Sequence, residues 1–536
     1  MDDKVATSTR LCETCRKLTL QSLYKGTPSF ALGDACDVCE LIRGCLTSSL
    51  QSSDGHELPT VALQVGYDER GEDEPTLVGL VHLASHKLKQ KLLEVEPSTR
   101  RLVKITEYPF ALLDVRAAGK RVASLKATPI PGSRQALASR ICGRQIRPAA
   151  SQDNVDMVKG WISTCVASHF RCRKAISGKF VDDRLNQQPL PTRLIQVSPK
   201  PRLCITAGQL GQYLALSYCW GTGQSRHAVT AKATIEAFQD NIPLDSLAPT
   251  VRDAILLVQR LGFQYLWVDA LCIIQGDEAD WKTESQAMGR VFENALCTIT
   301  ALGAKHADDG LFLSGNSPEE PRPTGVLFPC LNNAGKVLGY ASLTVWPGVE
   351  SEAGDAVSKD YLGSRWGERG WVLQERLLSR RMVYFGQHQM YWTCGTHMIF
   401  EDGINHNLPN AMVLNCHSLS QWTSALRKGT LPHLLSLLEP LIDKSYKNGT
   451  RMQEIWELIL GDYGSCHLTM QSDKLMAVAG LAACFATLTG QTYFEGIWIE
   501  TASLGLAWKA QRLQPQAFAS HGKISPPAIC NSVFVC

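Results

Sequence analysis

Tyr213-Leu214-Ala215-Leu216-Ser217-Tyr218, followed by Cys219-Trp220-Gly221-Thr222-Gly223, decides the fold of this 536-residue chain. The nearly continuous apolar run suits a strand covered on both faces, as in parallel sheets, and the glycines mark a turn-rich exit. A helix follows, with Val251, Ala254, Ile255, Val258 and Leu261 at helical spacing. Pro249 precedes it, Thr250 reads as its cap with Asp253 as an imperfect capping-box partner, and Gly262 stops it. Tyr265 to Asp269 reads as a second buried strand. Asp280-Trp281 opens another helix, with Trp281, Met288, Val291 and Phe292 near one stripe, and a third strand runs from about Ala295 to Ala301. Strand, helix, strand, helix, strand at crossover spacing argues for an α/β fold with a parallel sheet.

Outward from this core the pattern weakens. Residues 51–204 mix charged stretches with short apolar runs; Met157 to Arg171 fits an amphipathic helix carrying Met157, Trp161 and Val166, and Pro129–Pro131 and Pro189–Pro191 read as connections. After about Pro318 the text turns loop-rich. Order returns from Arg365 to Tyr384, and Glu454 to Trp508 reads as mainly helical. The expected organisation is a Cys-rich segment 1–50, an N-terminal region 51–204, a central domain 205–385, a mainly helical region 386–510 and an irregular tail 511–536.

Apolar residues at 44% and charged residues at 20% are ordinary globular composition and exclude dominant disorder. Lys and Arg exceed Asp and Glu by 54 to 51, a net charge of +3 without long like-charged runs, so no electrostatic case exists for nucleic acid or an anionic membrane. The start, Met1 to Cys15, lacks an apolar signal region, and the longest apolar candidate, Leu475 to Leu488, falls short of the roughly 20 residues of a membrane span. The 19 cysteines therefore read as mostly free thiols of a reduced cytosolic or nuclear protein, with a cytoplasmic location expected.

In open parallel sheets, ligands sit beyond the carboxyl ends of strands. Ser217, Trp220 and Gly221 lie at one such end, Asp269 and Gln275 at the next. Gly221 and Gly223 let backbone approach a ligand. Asp269 ends an apolar strand, where a carboxylate caps the next turn, pairs with an arginine or serves a site. Glu375 reads either as a second site carboxylate or as an ion-pair partner of Arg369 or Arg376. Cys219 and Cys272, with His227 near in sequence, are the nucleophile alternative; no Gly-x-Ser-x-Gly elbow accompanies them, and they read as core. No phosphate loop and no dinucleotide fingerprint is present. Cys12-x2-Cys15 and Cys36-x2-Cys39, about twenty residues apart, can close a structural zinc site or remain free thiols.

Three ordered blocks carry a family resemblance: Tyr213 to Gly221; Tyr265 to Gln275 with Asp280, Trp281, Glu284, Met288, Asn294 and Ala295; and Arg369 to Ser379. Together they resemble the fungal heterokaryon-incompatibility (HET) domain family. The leading cysteine pairs, Ser472-Asp473-Lys474, and Gly496 to Trp508 resemble the flanks of its long members, so the likeness runs from Leu11 to Trp508. Members usually continue into a Ser-Trp-Ser-Trp-like segment, and its absence after Trp508 implies a truncated C-terminal module or a misread gene end. The resemblance implies a fungal non-self recognition and cell-death effector that self-associates or meets other incompatibility proteins. The HET domain is likened to TIR, a flavodoxin-like fold with NAD-cleaving members. Trp281-x2-Glu284 is similar to the pattern around their catalytic glutamate, which makes Glu284 and Asp269 the catalytic candidates and NAD a candidate substrate. Ser217, Trp220, Gly221, Gln275, Arg369 and Glu375 would then bind ligand. Acids also favour a helix start, which accounts for Glu284 without catalysis. HET-like proteins also occur in secondary-metabolite gene clusters, which implies an accessory or tailoring role as a further alternative.

Overall fold

The computed structural model describes residues 9–49, 60–65, 110–118, 120–138, 140–169, 171–173, 183, 188–206, 208–221, 227–313, 325–346, 360, 364–396, 398–403, 405–406, 449–464 and 466–502. The expected tail 511–536 and the segment after Trp508 lie outside them. The chain divides into two compact units: Met1–Ile146 with Ser317–Ala356 and Ile399–Asn410, and Arg147–Asn316 with Val357–Met398 and Ala411–Cys536. The architecture is mixed α/β, with cysteine-rich helices at the N-terminus and helices toward the C-terminus.

The smaller unit is an antiparallel sheet in the order Val61–Val65, Leu112–Ala117, Lys120–Pro129, Val337–Trp346, Val326–Leu331. Helix Asp37–Ser49 packs on it, burying Val38, Ile42 and Leu46 against Leu113, Leu125, Phe328 and Leu343. The loop-rich reading after Pro318 is thereby corrected, because Val326–Leu331 and Val337–Trp346 form a hairpin. Pro329 hid the first of these strands; at the outer position in this order its missing N–H costs no ladder bond.

In the larger unit, helix α1 (Gln152–Ser168) precedes strands β1 (Arg193–Gln196), β2 (Arg202–Ile205) and β3 (Leu214–Ser217). Then come α2 (Pro249–Leu261), β4 (Tyr265–Trp267), the short α3 (Asp269–Cys272), α4 (Glu278–Asn294) and β5 (Cys297–Thr300). Helix α5 (Gly370–Leu378), β6 (Arg381–Phe385), β7 (Met390–Cys394), α6 (Gly449–Tyr463) and α7 (Met476–Thr489) follow. These seven strands lie in the order β7-β6-β5-β3-β4-β1-β2. The four strands β6, β5, β3 and β4 are mutually parallel, and β7 and β1 join their two sides antiparallel. All of β3, β5, β6 and β7 is buried, which explains the nearly continuous apolar run read at β3.

With right-handed crossovers, the step from β3 to β4 and the reversed step from β4 to β5 place α2 and α4 on opposite faces. The packing agrees: α2 meets α1, whereas α4, α5 and α7 pack on one another. Gly289 of α4 and Gly480 of α7 cross so closely that a Cβ on Gly289 would lie 2.8 Å from the Gly480 Cα. Among the described residues, Gln471–Thr489 is long and apolar enough to cross a membrane by length and composition; here its Ala477, Val478, Leu481, Ala482 and Phe485 are buried.

Two helix starts differ from the sequence reading. Helix α2 begins at Pro249 with Ala248 as N-cap, so Thr250 does not cap it; proline at the first helical position sets φ and has no N–H to satisfy. Asp253 instead accepts the Leu311 N–H at 3.0 Å. Helix α4 begins at Glu278, capped by Asp277, which accepts from the N–H groups of Ala279 and Asp280. Gly262 ends α2 in the left-handed conformation at φ 83°.

Candidate functional site

Strand β3 delivers Ser217 to its carboxyl end, and the chain runs on through Tyr218, Cys219, Trp220 and Gly221. Gly221 sits at φ 103°, a conformation side chains strain to adopt, and its would-be Cβ lies 3.5 Å from His306 Cβ, beyond the end of β5. Ser217 is buried; its Oγ donates to Glu375 Oε2 and accepts the Trp366 indole N–H at 2.6 Å. Glu375 comes from α5, which is pinned to β5 through Ser379: its Oγ lies 2.7 Å from Thr298 Oγ1 and donates to the Glu375 carbonyl at 2.6 Å.

Asp269 opens α3 directly after β4. Its carboxylate accepts the Ala270 N–H and the Trp220 indole N–H, each at 2.7 Å, and a bond from the Tyr218 side chain. Gln275 closes the following turn by donating to the carbonyls of Asp269 at 3.2 Å and Ile273 at 3.1 Å. Arg369, the N-cap of α5, donates to the Tyr218 carbonyl and interacts with Glu375 and Asp269. The structure thus brings together Ser217, Trp220, Asp269, Arg369 and Glu375, with Gly221 and Gln275 on the adjoining turns. The cluster grades from buried Ser217 and Glu375 through half-buried Asp269 and Arg369 to Trp220, 39% exposed.

Burial pushes the Glu375 carboxyl up to about 7 against the opposing pull of Arg369 and Ser217. Burial also raises Asp269, opposed by Arg369, and raises the Tyr218 hydroxyl, which the Asp269 charge pushes further. Burial works against the charge on Arg369, but Glu375 and its other acidic neighbours hold its pKa above the usual value. A carboxyl poised near neutrality beside a fixed guanidinium can take up or release a proton at physiological pH.

Glu284 makes its contacts in a second cluster. The Arg193 guanidinium, on β1, reaches Asp280 at 2.6 and 2.7 Å, Glu284 at 3.3 Å and the Cys272 carbonyl at 2.7 Å. Asp280 also accepts the Ile274 N–H at 2.7 Å. Both Arg193 and Glu284 are buried, and burial raises the Glu284 carboxyl. Cys219 and Cys272 are buried, as their apolar setting suggests, and His227 pairs with Asp308. The sequence reading missed Tyr218, Trp366 and Arg193. Only the first lay in a quoted block; Trp366 and Arg193 reach their partners through tertiary contacts that no spacing reports.

In the smaller unit, Cys12 caps the helical turn Glu13–Arg16 and Cys15 lies within it, and Cys36 and Cys39 sit at the start of helix Asp37–Ser49. Their four sulfurs lie within 4.8 Å of one another, with Cys39 Sγ 3.8 Å from both Cys12 and Cys15. Zinc–sulfur bonds of about 2.3 Å in a tetrahedron give sulfur–sulfur edges of about 3.8 Å. The cluster can therefore hold a metal ion. Gly33 makes room for it: a Cβ there would lie 2.9 Å from Cys12 Cβ.

No curated protein and no solved structure significantly matches the chain. A family described as Heterokaryon incompatibility protein (HET) matches residues 213–375, the span from the first residue before β3 to Glu375 in α5. That span contains both arginine-linked carboxylate pairs except for Arg193 itself. Over residues 213–375 the chain is therefore similar to the heterokaryon incompatibility (HET) family.

Proposed function

We propose that the chain is a cytoplasmic effector of fungal non-self recognition, whose HET domain restricts growth or kills the cell after regulated self-association. The observation that carries this is the family match over the residues that build the Ser217–Asp269–Arg369–Glu375 cluster. A flavodoxin- or TIR-like core is supported by the order of the four parallel strands: numbered by their sequence as one to four, they lie as 2-1-3-4. The reversal falls between β3 and β5, where Gly221 meets His306. Doubly wound sheets take ligands at that reversal. Induced expression in a fungal host tests the reading: growth should stop with the wild-type chain and continue with Asp269→Ala at equal accumulation. Unimpaired growth with confirmed wild-type accumulation defeats it.

The near-neutral carboxyl of Glu375 favours a second, enzymatic reading, in which the same cluster cleaves the nicotinamide bond of NAD. Asp269 and Glu375 would stabilise the cationic ribosyl centre, as carboxylates do in glycoside cleavage. Glu284, held by Arg193, would then support the sheet side of α4 and not the reaction. Purified protein should release nicotinamide from NAD, Asp269→Asn should stop the release, and Glu284→Gln should retain it. Turnover that survives Asp269→Asn and fails with Glu284→Gln returns the chemistry to Glu284. Zinc is the ion we infer for the Cys12, Cys15, Cys36 and Cys39 cluster, in a closed structural role.

A further inference from the structure

We propose a second structural zinc site, inside the larger unit, built by Cys165, His169, Cys172 and Cys394. Their ligand atoms lie within 4.8 Å of one another, and all four residues are buried. Cys394 Sγ stands 3.4 Å from His169 Nδ1. A tetrahedron with zinc bonds of about 2.3 Å to sulfur and 2.0 Å to nitrogen has a sulfur–nitrogen edge of about 3.5 Å.

The local chain explains how three ligands converge. Cys165 is in the last turn of α1, His169 caps that helix with its N–H on the Cys165 carbonyl at 3.1 Å, and Cys172 follows in the turn Arg171–Arg173. Cys394, the last residue of β7, supplies the fourth from the sheet. The Trp161 and Trp392 rings, 6.2 Å apart, hold α1 against the same strand.

The surroundings balance the charge that zinc would bring. Arg381 lies opposite Cys394 in the β6–β7 register and donates Nε–H to Cys165 Sγ at 3.1 Å and Nη2–H to the Cys172 carbonyl at 3.2 Å. Arg380 and Arg381 share buried Asp183 at 2.7 to 2.9 Å. Two guanidiniums and one carboxylate leave one positive charge. Three thiolates, a neutral imidazole and Zn²⁺ leave one negative charge, so the dry assembly is neutral when the metal is bound. Four protein ligands leave no open position, which makes the site a clamp between α1 and the sheet, not a catalytic centre.

Metal content of the purified full-length chain, after dialysis without chelator, tests the site. Wild type should carry about two zinc equivalents, and Cys12→Ser/Cys15→Ser, whose substitutions lie in the smaller unit, should carry about one. Cys394→Ser combined with that pair should carry none, and its far-ultraviolet circular dichroism reports whether the chain is still folded. The proposal is overturned if Cys12→Ser/Cys15→Ser abolishes all bound zinc, or if non-reducing mass spectrometry finds Cys165, Cys172 or Cys394 in a disulfide.

Discussion

Two clusters in the larger unit have the same composition, one arginine with two carboxylates, and opposite character. Around Arg193, the guanidinium is within hydrogen-bonding reach of Asp280, Glu284 and the Cys272 carbonyl, and it ties β1 to α4. Around Arg369, the carboxylates come from different elements, the pairing is looser, and Trp220 and Gly221 lead from it to solvent. Closed geometry fixes a fold; incomplete compensation beside an exposed edge leaves charge available to a ligand. That difference, not the count of acids, separates a structural ion pair from a candidate site.

The largest expected effect tests the closed cluster. Arg193→Ala strands two carboxylates and should cost about 3–5 kcal/mol in denaturant unfolding. A loss under about 1 kcal/mol would erase the contrast. Next comes Glu375. Its folded pKa stands near 7, above its ordinary value of 4.5, so the folded state holds the proton more tightly. Stability should therefore be greatest below about pH 4.5 on this group's account, fall as pH rises toward 7, and level off above it. The swing is about 3 kcal/mol, and Glu375→Gln should flatten it in melts run across that range.

Smaller effects probe the open edge. Gly221→Ala, at φ 103° with room for the methyl, should cost about 1–2 kcal/mol of backbone strain while disturbing growth arrest more than stability suggests. Trp220→Phe removes one donor from Asp269 and should change stability by about 0.5–1 kcal/mol. If it leaves growth arrest intact, the exposed indole is not part of ligand capture.

Local chemistry made much of the larger unit legible. The buried strands around Leu214, Leu266 and Ile299 read directly from apolar runs, because a sheet covered on both faces needs no alternation. Gly262 announced a helix end, since few other residues accept its backbone angle. The smaller unit read poorly for the converse reason: antiparallel strands with one wetter face mix apolar and polar residues, and Pro329 disguises a permitted outer-strand position. Likewise Cys165-x3-His169-x2-Cys172 carried a local ligand spacing, while its fourth member is more than two hundred positions away.

The sequence by itself determined the parallel-sheet core, the family likeness and the residues gathered at the strand ends, because periodicity, turn chemistry and motif spacing act over a few tens of residues. Only the tertiary structure decided which carboxylates share an arginine. Arg193 joined Glu284 and Asp280 across sheet and helix, and Arg369 joined Asp269 and Glu375 at the strand ends. Such pairings depend on strand order and burial, and burial is what turns Glu375 from an ordinary acid into one that titrates near neutrality.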